Sequence, residues 1–438
     1  MRYFGTDGIR KEASFFTTDF LSKVAKGLVN YGGDKIKVLL GGDTRESSEW
    51  IIQDLSAAFE TLGIEYASVG VLPTPAINYV FYEMGFDFAI DVTASHNPYA
   101  DNGLKIFERG EKSGIKLSEK GCLTIEDAID SEPSFELVST SLNENLHDDA
   151  VDLYREHLID YVEKCDLSGL RIGMDCANGA TSTINKTALE SLGAEVVLIN
   201  ADENYGQEIN SACGSTHIEA LTELVKNEGL DFGVAFDGDG DRSLFIDENG
   251  ELVDGDQVIV IVSEALKLQS AAVTVMANQG LLDWAERTGR KLEITAVGDH
   301  NVALAMEELN IPIGGEQNGH TILPNLTTGD GLLTAMTISR IVKNSGQKLS
   351  QLAKTMTRFP QVVVNVEATP EMKEALKTSD ASKKLLLEFD EKLKSVNGRL
   401  LVRPSGTENL IRVTMWGQEE SAIDELANEL AIKLKEIL

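Results

Sequence analysis

No stretch of this chain approaches the roughly 20 apolar residues a membrane helix needs, and its opening, MRYFGTDGIR, holds no apolar signal core. A cytoplasmic protein without a membrane partner is expected. Cysteine is scarce: Cys122, Cys165, Cys176 and Cys213 form no CxxC or zinc spacing, so free thiols are the reading. Positive charge is also in short supply. Against 71 Asp and Glu stand 39 Lys and Arg, a net charge of −32, which excludes non-specific nucleic-acid binding. No G-x-S-x-G occurs, which disfavours an acyl-transfer hydrolase. The acidic balance sets a condition on function. Its field repels an anionic substrate. Any phosphate site must then be built locally, from a few Arg, Lys and backbone N–H groups.

What is present is ordinary for a globular chain: 42% hydrophobic and 25% charged residues. At roughly 100–200 residues per domain, 438 residues imply three or four domains. One pattern recurs. A β-branched run ends in a loop rich in Gly, Asp or Asn, and a helix-like segment follows. The cases are Lys37-Val-Leu-Leu-Gly-Gly-Asp-Thr-Arg45, Arg171-Ile-Gly-Met-Asp-Cys-Ala-Asn-Gly179 and Val273-Thr-Val-Met-Ala-Asn-Gln-Gly280. Trp50 to Leu62 is an example of the helical spacing that follows. Three repeated α/β units with mixed or parallel sheets are expected, with ligands at the C-terminal ends of strands. The polar segment Ser131 to Asp149 reads as a linker, and the turn-like Asp247-Glu-Asn-Gly250 as a second boundary. After Thr357 to Gln361 the pattern changes. Val362 to Val366, Arg399 to Val402 and Leu410 to Met415 read as strands, Pro370 to Leu393 and Glu419 to Leu438 as helices. The expected domains are 1–150, 151–250, 251–360 and a smaller α+β domain at 361–438.

Five loops carry chemistry. Asp237-Gly-Asp-Gly-Asp-Arg242 follows the strand Phe232 to Phe236. Its alternating carboxylates can converge on one hard cation, because the glycines let the backbone curl. An EF-hand needs Gly at the sixth position, where Arg242 stands, so Mg²⁺ is the better choice. Asp91-Val-Thr-Ala-Ser-His-Asn-Pro98 ends another strand on Ser95. A metal held by Asp237, Asp239 and Asp241 can be completed by Ser95 or by a phosphate carried on it. Lys105, shortly after, can stabilise a transferring phosphoryl group or move a proton; alone it reads as a surface lysine. In Arg403-Pro-Ser-Gly-Thr-Glu408, the side chains of Arg403, Ser405 and Thr407 and the backbone around Gly406 can wrap a phosphate, a plain Pro-Gly turn being the bland alternative. Gly314-Gly-Glu-Gln-Asn-Gly-His320 suits polyol recognition through Glu316, with His320 as an acid/base or phosphate contact. Phe4-Gly-Thr-Asp-Gly-Ile-Arg10 sets Arg10 in a last glycine-bearing loop.

FGTDGIR, TASHNP, DGDGDR, GEQNGH and RPSGTE, in this order and spanning almost the whole chain, resemble the α-D-phosphohexomutase family. The resemblance implies four domains around a central cleft: three repeated mixed-sheet α/β domains and a smaller C-terminal, TBP-like domain that moves. It implies that Ser95 carries the phosphoryl group and binds Mg²⁺ with Asp237, Asp239 and Asp241. Arg10, His96, Lys105, Arg242 and His320 would surround that group. Glu316 and Asn318 would bind the sugar, and Arg403, Ser405, Gly406 and Thr407 the phosphate that does not react. The expected reaction interconverts glucosamine 6-phosphate and glucosamine 1-phosphate through a sugar 1,6-bisphosphate, which also serves as activator. Such a reaction feeds UDP-N-acetylglucosamine and cell-wall precursor synthesis. Glucose or mannose phosphates are the alternative substrates, and a non-catalytic phosphosugar sensor the alternative class. A homodimer is left open. Asn318 stands where Ser is usual in the amino-sugar branch, Asn409 where Pro is usual, Lys11 where Gly is usual and His300 where Arg is common.

Overall fold

The computed structural model describes residues 1–111, 113–138, 146–204, 206–405 and 409–438, the side chains of 185 and 186 excepted. The chain forms two compact units. One comprises Met1–Thr274 and Thr295–Ala353, the other Val275–Ile294 and Lys354–Leu438.

The first unit is built on mixed sheets. Phe88–Val92 is buried at every position, as a central strand covered on both faces must be. It runs parallel to Lys37–Gly42, Val38 facing Phe88, and antiparallel to Asp101–Arg109, Ile90 facing Ile106. Glu65–Val71 lies outside Lys37–Gly42, and Ile9–Glu12 with Gly114–Lys116 lie outside Asp101–Arg109. Helices Thr18–Gly32 and Glu46–Leu62 bury Leu21, Val24, Leu28, Ile51, Leu55 and Phe59 in the core of this sheet. The second sheet repeats the plan. Arg171–Asp175 is parallel to Glu195–Ile199 and Phe232–Phe236, and a hairpin adds Ser243–Asp247 and Leu252–Val253 antiparallel. Its turn is Asp247 to Gly250, where Asp247 Oδ1 accepts from the N–H groups of Asn249 and Glu251. In the third repeat Ser270–Thr274 runs parallel to Gly314–Gly315, which turns back antiparallel as Thr321–Ile322.

The second unit carries a three-stranded antiparallel sheet in the order Gln361–Glu367, Leu410–Trp416, Arg399–Pro404. Helices Pro370–Thr378, Asp380–Leu393 and Glu420–Ile437 supply Leu376, Phe389, Leu393, Ile423, Leu430 and Leu434 to its core. The single helix expected over Pro370 to Leu393 is thus two. Ser379 breaks it, with an extended backbone and a side chain that accepts from Ser382 N–H, so it caps the second helix. The expected linker Ser131 to Asp149 is shortened at its end, because helix His147–Tyr161 already contains Asp148 and Asp149; residues 139–145 of it lie outside the described residues. Among the described residues no helix is long and apolar enough to cross a membrane.

Candidate active site

The serine loop, the acidic loop and the Gly314 to His320 loop leave the C-terminal ends of strands, where side chains can converge, whereas Phe4 to Arg10 leads into the start of Ile9–Glu12. Ser95 follows Phe88–Val92. Its φ of 54° is left-handed, a conformation that costs a non-glycine residue roughly 1–2 kcal/mol. The strain aims Oγ at the second repeat: Ser95 Oγ donates to Asp237 Oδ2 at 2.8 Å and lies 3.2 Å from His96 Nδ1. Gly238 allows this approach, since a Cβ there would stand 2.7 Å from the Ser95 carbonyl oxygen.

Asp237, Asp239 and Asp241 follow the buried strand Phe232–Phe236 and are themselves buried. One oxygen from each lies within 4.8 Å of the others. Asp239 Oδ1 and Asp241 Oδ1 are buried without a hydrogen-bond partner. Spare carboxylate lone pairs converging in a dry site are what a divalent cation satisfies, so these residues fit a metal ion. Lys105, far from a surface lysine, is 3% exposed. Its Nζ sits 2.6 Å from Asp239 Oδ2, 2.8 Å from Asp241 Oδ2 and 3.2 Å from Asp7 Oδ2. A buried ammonium without such partners would lose its proton.

Charge alternates outward from the triad. Asp7 accepts from Arg10 Nη2 at 2.5 Å and pairs with Lys116 Nζ at 2.6 Å; Lys116 in turn pairs with Asp299 at 2.5 Å. Asp299 Oδ2 lies 3.6 Å from His320 Nε2. Arg242 and His320 are joined by an isolated β-bridge, and Arg242 Nε is 3.8 Å from both Asp237 and Asp241. Asp7, Asp91, Asp237, Asp239, Asp241 and Asp299 outnumber Arg10, Lys105, Lys116 and Arg242 here. Burial, with the charges of Asp239 and Asp241, holds the Asp237 carboxyl well above the usual carboxylate range. Burial also raises Asp91 well above that range, only partly offset by Lys105. Burial pushes Asp241 up too, but Lys105, His320 and Arg242 outweigh it and hold it at about 2. His96 is pushed down to about 4 by burial and by Arg242 and Arg10, so it is neutral at neutral pH in the unphosphorylated site.

The Gly314 to His320 loop is shaped by its own hydrogen bonds. Glu316 Oε1 accepts from Gly298 N–H at 3.0 Å and Oε2 from Asn318 Nδ2 at 3.2 Å, while Asn318 Oδ1 accepts from His320 N–H. The loop lies on the start of helix Gly255–Ala265, where a Cβ at Gly255 would stand 2.1 Å from the Glu316 carbonyl oxygen. Asp254 caps that helix with a capping box to Gln257, and Asp330 caps helix Gly331–Ser345.

In the second unit, Arg403 stands directly across from Arg412 on adjacent strands. Burial and the Arg412 charge lower the Arg403 pKa. Like charges opposed across a sheet repel, so this pair favours an anion. The Ser405 carbonyl accepts from Lys373 Nζ at 3.0 Å. Gly406 and Thr407 lie outside the described residues.

Several contributors carry no signal in the sequence alone. Asp7 lies inside FGTDGIR and Arg45 inside the first repeat. Thr74, Lys116, Asn210 and Asp299 lay outside the singled-out loops. Thr74 Oγ1 is within hydrogen-bond distance of Asp91 and Asp239, at 2.5 and 2.9 Å. Lys116 and Asp299 are 183 residues apart in sequence.

The chain matches four family models: phosphoglucomutase/phosphomannomutase α/β/α domain I over residues 1–135, domain II over 152–250, domain III over 254–359, and the C-terminal domain over 363–433. It is 40% identical to the phosphoglucosamine mutase of Caldicellulosiruptor bescii, covering 98% of each chain. It is also 40% identical to that of Clostridium novyi, covering 99% of each. Among solved structures, a phosphoglucomutase/phosphomannomutase family protein from Burkholderia thailandensis shares the fold with a TM-score of 0.76 at 20% identity, over 99% of this chain and 97% of that one. Aspergillus fumigatus N-acetylphosphoglucosamine mutase, solved with GlcNAc-6P and magnesium, does so with a TM-score of 0.68 at 16% identity, over 99% and 96%. Full-length identity at this level, four family domains in order and a buried serine against an acidic triad agree: the chain belongs to the α-D-phosphohexomutase family, the phosphoglucomutases and phosphomannomutases, and is most like its phosphoglucosamine mutases.

Proposed function

We propose that this enzyme interconverts glucosamine 6-phosphate and glucosamine 1-phosphate, with phosphorylated Ser95 as donor and a sugar 1,6-bisphosphate as intermediate. The observation that carries the reading is Ser95 Oγ, buried and 2.8 Å from the first carboxylate of the triad. In the first half-reaction the bond from phosphorus to Ser95 Oγ breaks and a bond from phosphorus to the free sugar hydroxyl forms. The hydroxyl proton leaves to a base, and Oγ departs with its electron pair. The bisphosphate then turns round, and its other phosphoryl group returns to Oγ by the reverse step, leaving the isomeric monophosphate.

Mg²⁺ held by Asp237, Asp239, Asp241 and Ser95, when bound, neutralises negative charge on the transferring group. Lys105, Arg10 and Arg242 supply further positive charge around it, His96 contacts it, and His320 holds or delivers a proton. Glu316 and Asn318 face sugar hydroxyls; each Glu316 oxygen keeps a lone pair beyond the hydrogen bond it accepts. Arg403 and Ser405, with Gly406 and Thr407, hold the phosphate that is not transferred.

The test compares kcat/KM for glucosamine, glucose and mannose 1-phosphates with Mg²⁺ and a trace of bisphosphate. Preference for the amino sugar is expected. Asn318→Ser is expected to change that preference by about tenfold, since one altered polar contact beside Glu316 is worth on the order of 1–3 kcal/mol. Preference for glucose or mannose would assign the protein to the sister activities, and no turnover of any sugar would leave a phosphosugar sensor.

A further inference from the structure

We infer that Arg45 and Asn210 form a two-sided clamp that positions Ser95 for phosphoryl transfer. Neither residue reaches the triad, and neither belongs to the loops that bind sugar or phosphate. Both act through the serine's backbone, so they are positioning residues. The inference rests on Ser95 being the phosphoryl carrier.

The geometry is crosswise. Arg45 Nη2 donates to the carbonyl oxygens of Ser95 at 3.2 Å and Asn97 at 2.6 Å. Asn210 Nδ2 donates to the same two carbonyls, at 2.9 Å and 3.2 Å. Arg45 follows Lys37–Gly42 in the first repeat, while Asn210 follows Glu195–Ile199 in the second. The two carbonyls bracketing His96 are therefore held from both repeats at once.

The Arg45 side chain is fully buried, a costly place for a charge. Asp43 compensates it through Nη1, and Asp43 also accepts from Ser48 Oγ at 2.8 Å and Thr93 Oγ1 at 2.6 Å. Thr93 Oγ1 in turn accepts from Ser95 N–H at 2.9 Å. Both ends of the Ser95 peptide unit thus return to one buried ion pair. The left-handed φ of Ser95 needs such support, because an unheld serine relaxes to a right-handed or extended backbone. Relaxation would swing Oγ away from Asp237 Oδ2.

Two half-reactions use the same Oγ with the sugar in opposite orientations. The serine must present the same in-line direction each time, and a misplacement of about 1 Å costs transfer on the order of 10²-fold. Water is small and meets the phosphorylated serine from many directions, so its attack is far less sensitive to that alignment.

The experiment uses the full-length enzyme with Mg²⁺ and compares wild type with Asn210→Ala and Arg45→Lys. The lysine keeps the charge opposite Asp43 but loses the fork. Both variants are expected to lower kcat by about 10²-fold while KM changes less than about threefold. Single-turnover transfer from ³²P-labelled Ser95 to sugar should fall equally, while hydrolysis of that label to inorganic phosphate stays within about twofold of wild type. Melting temperature and Mg²⁺ affinity by calorimetry are read alongside. Transfer at the wild-type rate in either folded variant overturns the clamp. So does a parallel fall of transfer, hydrolysis and Mg²⁺ affinity, which is what a merely structural role predicts. If Asn210→Ala fails to fold, Arg45→Lys decides on the same criteria, and if both fail to fold the role is structural and the clamp is overturned. An unlabelled, inactive wild type would instead sink the phosphoserine reading itself.

Discussion

The Ser95 pocket and the Arg403 strand pair answer opposite electrostatic problems. Around Ser95, carboxylates outnumber cations, every ammonium or guanidinium lies against an acid, and burial raises Asp237 and Asp91. Such a site is hostile to a bare phosphate and open to a divalent cation. At Arg403 the neighbour across the strand is another arginine, and burial together with that neighbouring charge lowers Arg403. That site invites an anion directly. In a chain of net charge −32, phosphate affinity is therefore not a global property. In the proposed reading one site creates it through a metal, the other through two arginines set side by side.

Mutation separates the two. The largest expected effect is Ser95→Ala, which removes the hydroxyl proposed to carry the phosphoryl and should lower turnover by at least about 10³-fold. ³²P labelling from the bisphosphate should vanish, while melting temperature stays near wild type. Retained labelling would move the phosphoryl carrier elsewhere. Next comes the contrast between Asp241→Asn and Arg403→Gln. Removing a charged hydrogen bond to phosphate costs about 1.5–3 kcal/mol, so Arg403→Gln should raise KM for the sugar phosphate by roughly 10–100-fold and leave Mg²⁺ affinity unchanged. Asp241→Asn should weaken Mg²⁺ binding by at least about tenfold and change KM little at saturating metal. Calorimetry and steady-state kinetics check both; equal effects of either variant on both quantities would erase the distinction.

The last effect, on stability and not on turnover, sharpens what burial does to an acid away from either site. Asp330 accepts from Tyr154 Oη at 2.7 Å and caps its helix, and burial raises it from 3.8 to about 6. The folded state thus binds the proton more tightly than the unfolded chain. Its contribution to stability is greatest when protonated and declines as pH rises from about 4 through about 6. Asp330→Asn keeps a capping side chain and removes the titration. Relative to wild type it should gain on the order of 2–3 kcal/mol between pH 4 and pH 7.5. Denaturant melts at the two pH values measure this, and a constant difference would assign Asp330 an unperturbed titration.

The loops were legible because each holds its chemistry within a few residues. Three aspartates at alternate positions point to a cation, and a strand followed by Thr-Ala-Ser-His-Asn-Pro points to a polar turn at its end. The helix break at Ser379 was missed, because the apolar period runs on through Ser379-Asp380 and hides the cap that the structure shows there. Lys105 was legible only in part. Its place just after the serine loop makes it a candidate for the phosphoryl group, but its burial against Asp239 and Asp241 is visible only in the fold. The same holds for Asp43 and Arg45, which as residues read as a polar strand end and in space form a buried pair under the serine.

By itself, then, the sequence determined the repeated α/β plan, the acidic triad, the serine loop and the arginine of the last sheet, because strand periodicity, turn chemistry and ligand spacing are local. Tertiary structure alone decided which charges face one another. Asp7 with Lys105, Lys116 with Asp299, and Asn210 with Ser95 are brought together across long sequence separations by packing of the repeats. Coulomb and hydrogen-bond energies depend on distance and burial, which no local spacing encodes.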